Sequence, residues 1–186
     1  MNKIISLLSR IYLFLFKKIY REEKYARKIG VDIGKDCRIY TDRFGSEPYL
    51  ISVGNKVTLS NYVLFITHDG SPWIFGSGND RYFKYARIKI GNNVFIGMGC
   101  TILPGIKIGN NVIVGSGSVI TKNLAADSIY AGNPARKIST MNDYKNKMKS
   151  DFCHGSEYDH IKNKKERILV MEKDYFTSNR QSQWKK

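Results

Sequence analysis

Cysteine, histidine and acidic side chains are all scarce in this chain of 186 residues. The three cysteines, Cys37, Cys100 and Cys153, have neither metal-site nor disulfide-framework spacing. They read as reduced, structural thiols and point to a cytoplasmic setting. Histidine occurs three times, and only His68 lies in the patterned part of the chain, so no metal is expected: a zinc site needs a cluster of ligands. Asp and Glu total 16 against 31 Lys and Arg, a formal net charge of +15. Such an excess attracts polyanions, either nucleic acid or an anionic membrane surface. No nucleic-acid motif accompanies the charge, so nucleic acid is not expected as a partner.

No apolar run reaches the roughly 20 residues a membrane span requires. The nearest is IISLLSRIYLFLFKKIY, residues 4–20, interrupted by Arg10, Lys17 and Lys18. It lacks a small-residue cleavage site and does not read as a signal peptide. Residues 1–28 are expected to be an amphipathic helical segment. Its large apolar and basic side chains suit peripheral contact with an anionic membrane, or packing against the chain's own fold or a partner subunit. The sequence leaves these open.

What the chain does have is a repeat. From Ile90 an aliphatic residue recurs at every sixth position, through Ile96, Ile102, Ile108, Val114 and Ile120. Glycine follows it at Gly91, Gly97, Gly109 and Gly115. A second set of inward candidates precedes each next aliphatic by two positions: Val94, Cys100, Ile106, Val112, Ser118 and then Leu124. A helix has a period of 3.6 and a half-buried strand a period of two, so neither produces a strict six. Three flat faces closing into a triangular coil do, each coil burying its apolar side against the next. The pattern runs upstream through Ile33, Ile39, Val53, Leu59 and Phe65, with Val57 and Val63 as second positions. It slips between Ile39 and Val53 and again between Phe65 and Ile90. The second slip marks an inserted loop over 71–87, rich in aromatics (Trp73, Phe75, Tyr82, Phe83, Tyr85). The expected organisation is an N-terminal segment 1–28, a repeat domain 29–138 and a helical tail 139–186. Within the tail, a helix is expected over 141–149, capped by Ser139 or Thr140, and a second over 157–174.

His68 stands in ITHDGSPW, directly before the inserted loop. A lone histidine is more often structural than catalytic, but loops on a rigid scaffold are where chemistry concentrates. The run IKIGNNVFIGMGCTILPGIKIGNNVIVGSGSVITKNLAADSIYAGNPARKI, residues 88–138, resembles the hexapeptide-repeat acyltransferases. The branch it is most similar to holds sugar and polysaccharide O-acetyltransferases and xenobiotic acetyltransferases. His68, the Thr121–Lys122 pair and AGNPAR carry that likeness to the acetyl-CoA users.

The resemblance implies a mainly β fold, a left-handed parallel β-helix with an N-terminal helix and a C-terminal helical tail. It implies a homotrimer with sites between adjacent prisms, acetyl-CoA as co-substrate, and His68 as general base toward an acceptor hydroxyl. An imidazole suits that task because its ordinary pKa, about 6.5, lies near working pH. Gly97 and Met98 are the implied oxyanion donors through their backbone amides. Met98 and Ser116 would line the pantetheine arm. Thr121, Lys122, Gly132 and Arg136 would serve the adenosine and phosphate end. Gly97 and Gly132 have a plainer reading as corner glycines, Lys122 as a solvated charge, and Arg136 as cover for the last coil. For the acceptor, Asp69, Trp73 and Tyr82 are the candidates. An asparagine that binds acceptor in the sugar enzymes has no counterpart in register, although Asn55 and Asn61 are nearby.

The leading expectation is O-acetylation of a sugar or polysaccharide acceptor in surface polysaccharide assembly, such as capsule, O-antigen or exopolysaccharide. The enzyme would be cytoplasmic, with peripheral contact at the inner membrane face. The alternative is a small-molecule acetyltransferase acting on an antibiotic, a free sugar or an amino-sugar. A non-catalytic trimeric scaffold is argued against by His68.

Overall fold

The computed structural model describes residues 12, 22–76 and 82–177. The chain divides into two compact units, Met1–Met141 and Asn142–Lys186. Most of the amphipathic segment expected over 1–28 lies outside the described residues; its described end is α1 (Glu22–Ile29).

In the first unit each aliphatic–glycine hexad becomes a very short strand. The first face of the coil is β1 (Asp32–Ile33), β3 (Ile51–Val53), β8 (Ile88–Ile90) and β11 (Lys107–Ile108). The second is β2 (Arg38–Ile39), β4 (Thr58–Leu59), β9 (Val94–Ile96), β12 (Val112–Val114) and β14 (Ser128–Ala131). The third is β5 (Leu64–Phe65), β10 (Thr101–Ile102) and β13 (Val119–Ile120). All pairings within these faces are parallel. The chain is a left-handed parallel β-helix.

The register follows the repeat. Ile33, Val53, Ile90 and Ile108 stack in one column, and Phe65, Ile102 and Ile120 in another. The third column is Ile39, Leu59, Ile96, Val114 and Tyr130. Every aliphatic of the repeat is buried, and so is every second-position residue, Cys100 and Ser118 included. Ile90 pairs with Ile108, eighteen residues on, which is three hexads per coil. Val53 pairs with Ile90, 37 residues on, and the excess is the inserted loop. Ile33 pairs with Val53, twenty residues on, so the first slip is a small bulge. It holds a 3₁₀ turn at Pro48–Leu50.

The corner between the first and second faces is tied by side chains. Asn55, Asn92 and Asn110 each accept a backbone N–H from the preceding coil, from Lys35, Asn55 and Asn92, all at 2.8 Å. Asn55 is thereby committed to the scaffold. Both ends of the coil need cover, because open sheet edges invite pairing with other chains. At one end Arg27 of α1 donates to the carbonyls of Ile33 and Gly34, and Ala26 is fully buried. At the other, β15 (Arg136–Thr140) folds back antiparallel on β14.

The second unit is helical. α2 (Met141–Asp151) forms where the sequence predicts a helix, directly after Ser139 and Thr140, which lie in β15, where Thr140 pairs with Ser128. The helix expected over 157–174 is split. Gly155–Tyr158 is a 3₁₀ turn, and α3 (Lys164–Thr177) starts only after Asn163, whose side chain accepts the Glu166 N–H at 3.1 Å. That cap fixes the later start. The Tyr158 hydroxyl donates to Asp174 at 2.9 Å. This bond, with burial, pushes the phenol up to about 12.

Candidate active site

The column of Ile120 and Ile102 ends in Phe65, which stacks on Phe44 with centroids 5.4 Å apart. Three residues later the chain leaves the coil at His68. β6 (His68–Asp69) and β7 (Lys84–Tyr85) then form an antiparallel hairpin that pairs His68 with Tyr85 and Asp69 with Lys84. Its base is held by the Ala86 N–H, which donates to the Thr67 carbonyl at 2.9 Å. The catalytic candidate therefore sits on a rigid step between a packed core and an exposed loop.

The imidazole is oriented by a residue that sequence reasoning missed. His68 Nδ1 lies 2.9 Å from Glu47 Oε2, and the Thr67 hydroxyl donates to the same oxygen at 2.6 Å. Glu47 is held below the usual carboxylate range, chiefly by the Thr67 hydroxyl and also by His68, against an upward push from partial burial. An ionised carboxylate only accepts, so Nδ1 carries the proton and Nε2 holds the lone pair. The Glu47 side chain is 13% exposed and that of His68 41%. The carboxylate is sheltered while the base remains reachable. Glu47 lies inside the first slip of the repeat, where out-of-phase residues are free to leave the stack, but nothing in the sequence pairs it with His68.

Asp69 serves a different purpose from His68. Strand neighbours face opposite ways, and Asp69 Oδ1 accepts the Ser71 N–H at 2.9 Å, anchoring the 3₁₀ turn Ser71–Phe75. Trp73 in that turn and Tyr82 beyond it are both exposed. The aromatic ring against the base is Tyr85, whose centroid is 5.7 Å from that of His68.

The coenzyme candidates divide between two edges of the prism. Gly97, Met98, Ser116 and Gly132 occupy the corner between the second and third faces. Successive coils are joined there by Gly117 N–H to the Met98 carbonyl, 2.8 Å, and Val119 N–H to the Gly132 carbonyl, 3.0 Å. Thr121 and Lys122 are exposed on the corner that carries His68, two coils further along. At the usual spacing that is about 10 Å down the axis. The third face, about four residues or roughly 13 Å across, separates the two groups within one chain. Arg136 is exposed at the start of β15, where Nη1 donates to the Ala135 carbonyl at 3.1 Å.

One expectation is corrected. The Gly97 amide is not available as an oxyanion donor, because it donates to the Val114 carbonyl at 2.8 Å within the coil ladder. Gly97 is required by close approach: a Cβ there would lie 2.5 Å from the Ser116 backbone nitrogen. Gly97→Ala is expected to lower stability by about 1–3 kcal/mol, the usual cost of overpacking, with a matching fall in Tm on thermal unfolding. An unchanged Tm would show that the coils separate easily at this corner. Gly132, at φ +102, adopts a conformation that favours glycine for a second reason.

Among the described residues, no group of three or more His, Cys, Asp or Glu is placed to hold a metal ion. No helix among them is long and apolar enough to cross a membrane.

The repeat has counterparts among known proteins. The family model "Bacterial transferase hexapeptide (six repeats)" matches residues 87–122. Protein CapG of Staphylococcus aureus is 50% identical over 144 residues, 76% of this chain and 83% of that protein. A chloramphenicol acetyltransferase of Klebsiella aerogenes is 44% identical over 110 residues, 57% of this chain and 49% of the enzyme. The galactoside O-acetyltransferase of Escherichia coli is 35% identical over 98 residues, 52% of this chain and 47% of the enzyme. This chain thus spans about half the length of those two enzymes. Among solved structures, a hexapeptide-repeat containing acetyltransferase from Vibrio cholerae superimposes with a TM-score of 0.57 at 19% identity, covering 73% of this chain and 89% of that one.

Proposed function

The chain belongs to the hexapeptide-repeat acetyltransferases, and on that premise we propose that it moves the acetyl group of acetyl-CoA onto a sugar hydroxyl in surface polysaccharide assembly. The observation that carries this reading is the Glu47–His68 pair, 2.9 Å apart through Nδ1, in a His68 side chain that stays 41% exposed. Nε2 takes the proton of the acceptor hydroxyl as that oxygen attacks the thioester carbonyl. The imidazolium then returns the proton to the departing CoA thiolate as the C–S bond breaks, leaving an acetyl ester and free thiol. Glu47 stabilises the imidazolium between the two transfers.

The exposed Lys122 and Arg136 suit the phosphates of the coenzyme. Thr121 suits its adenosine end, and Met98 with Ser116 the pantetheine arm. One chain keeps these residues on two edges, so a second copy must supply the facing wall of the cleft. A cyclic homotrimer does this. We place the enzyme in the cytoplasm, with the basic N-terminal segment meeting an anionic inner membrane surface where lipid-linked glycans are built.

The 44% identity to a chloramphenicol acetyltransferase favours a second reading, acetylation of a small acceptor. Release of CoA thiol is measured with acetyl-CoA against polysaccharide repeat-unit oligosaccharides, free sugars, amino-sugars and chloramphenicol. The oligosaccharides are expected to give the highest kcat/KM. A higher value with chloramphenicol would replace the first reading by the second. Lys122→Ala and Arg136→Ala are expected to raise the KM for acetyl-CoA with little change in kcat, since phosphate contacts persist from ground state to transition state. Both effects should shrink with the dephospho-coenzyme. Equal effects on both coenzymes would remove the phosphate role.

A further inference from the structure

We infer that the hairpin beside His68 carries a stacking shelf for one pyranose ring of the acceptor, made by Tyr85 and Phe83 and kept open by Gly70. This rests on the acetyltransferase reading and names the acceptor chemistry of that same site.

Three rings stand on one side of the hairpin. His68 pairs directly across from Tyr85, with ring centroids 5.7 Å apart. Phe83 stands directly before β7, two residues from Tyr85, and the two rings lie together, with centroids 6.2 Å apart at an interplanar angle of 30°. Both remain about half exposed, Phe83 at 52% and Tyr85 at 56%. Directly after β6, the position that would cover Phe83 is Gly70, where an added Cβ would touch the Phe83 ring at 3.6 Å. Gly70 has φ −109 and ψ 9, values open to any residue, so the backbone does not demand glycine here. What the glycine leaves is open ring surface beside the base. Asp69 and Lys84, the charged pair of the hairpin, fall on the opposite face.

A ligand on this shelf must offer a flat, weakly polar face to two aromatic rings and a hydroxyl at its edge to His68. A pyranose does both. Its axial C–H groups carry partial positive charge toward the negative ring faces, while its hydroxyls project around the rim. A protein surface laid over the shelf would also cover His68, whose Nε2 has to stay reachable. Polyols share the hydroxyls of a pyranose but not its fixed apolar face.

The test is saturation-transfer NMR on the full-length protein without acetyl-CoA. The probes are methyl α- and β-galactopyranoside, methyl glucopyranoside and, as the open-chain control, galactitol. Pyranosides are expected to receive saturation mainly at the protons of one ring face, and galactitol little. Tyr85→Ala should abolish the signal, Tyr85→Phe should keep it, and Gly70→Leu should abolish it by filling the shelf. With whichever acceptor is turned over, Tyr85→Ala and Gly70→Leu should raise acceptor KM about two- to tenfold, the range for one aromatic contact, with acetyl-CoA KM unchanged. Saturation that survives both Tyr85→Ala and Gly70→Leu would overturn the shelf. So would a change of assembly size in sedimentation when Tyr85 or Phe83 becomes alanine, because the rings would then be a subunit contact. Since binding is read without coenzyme, a failure of the acetyl-transfer reading leaves this result standing and is recognised separately.

Discussion

His68→Ala is expected to lower kcat by about 10² to 10⁴, the usual contribution of a positioned general base, while the KM for acetyl-CoA stays near its wild-type value. The split follows from where the imidazole acts. Nδ1 is occupied by Glu47 at 2.9 Å, so the only basic nitrogen is Nε2, and it meets the acceptor proton rather than the coenzyme. The core should be indifferent, because the side chain is 41% exposed and its column ends at Phe65. Thermal unfolding of the variant therefore belongs beside the kinetics. A normal Tm with kcat within a few-fold of wild type would remove His68 from the base role.

Glu47→Gln is expected to fall in the same range, up to about 10⁴, as when the carboxylate behind a catalytic histidine is amidated in a serine protease. The amide is the same size, but Thr67 and Nδ1 share one oxygen of Glu47, so an NH2 placed there no longer accepts from Thr67. What it loses is the charge, and with it the choice of tautomer. An amide N–H turned toward Nδ1 favours the imidazole protonated on Nε2, which has no lone pair to offer. The substitution also has a signature that bulk packing would not produce. The folded-state pKa of Glu47 is lowered from 4.5, most strongly by the Thr67 hydroxyl. A lowered carboxylate pKa contributes stability that is complete above the unfolded value and lost as pH falls through the folded one. The Tm gap between wild type and Glu47→Gln should therefore be full above the ordinary carboxylate range and close on further acidification. A gap that widened on acidification would mean that the carboxylate is not the ionised acceptor described here.

The scaffold was legible in the sequence because its physics is periodic. Every sixth residue must fill the column, so Ile90, Ile96, Ile102 and their successors identify themselves, and all are buried. His68 was legible because it stands where the period breaks. Glu47 was not: nothing local marks an acid 21 residues away as the partner of a histidine. Only folding the first slip against the corner brings them together. The hairpin was hidden for a similar reason. The aromatic loop could be seen, but the hairpin register decides that Tyr85, rather than Trp73 or Tyr82, lies against the base. The Gly97 amide shows the converse. Family position suggested an oxyanion donor, whereas parallel coils use that N–H to join Gly97 to Val114. The later start of α3 depended on a single cap at Asn163, a boundary that composition does not fix.

The most direct measurement uses acetyl-CoA labelled with ¹³C in the acetyl carbonyl, incubated with a de-O-acetylated oligosaccharide of a surface polysaccharide. Two-dimensional NMR then shows which atom carries the label. The wild-type protein should place the labelled carbonyl on one sugar oxygen as an ester, with an equal amount of free CoA, and His68→Ala should give no ester above background. Label on a sugar nitrogen, or ester formation that persists in His68→Ala, would contradict the account.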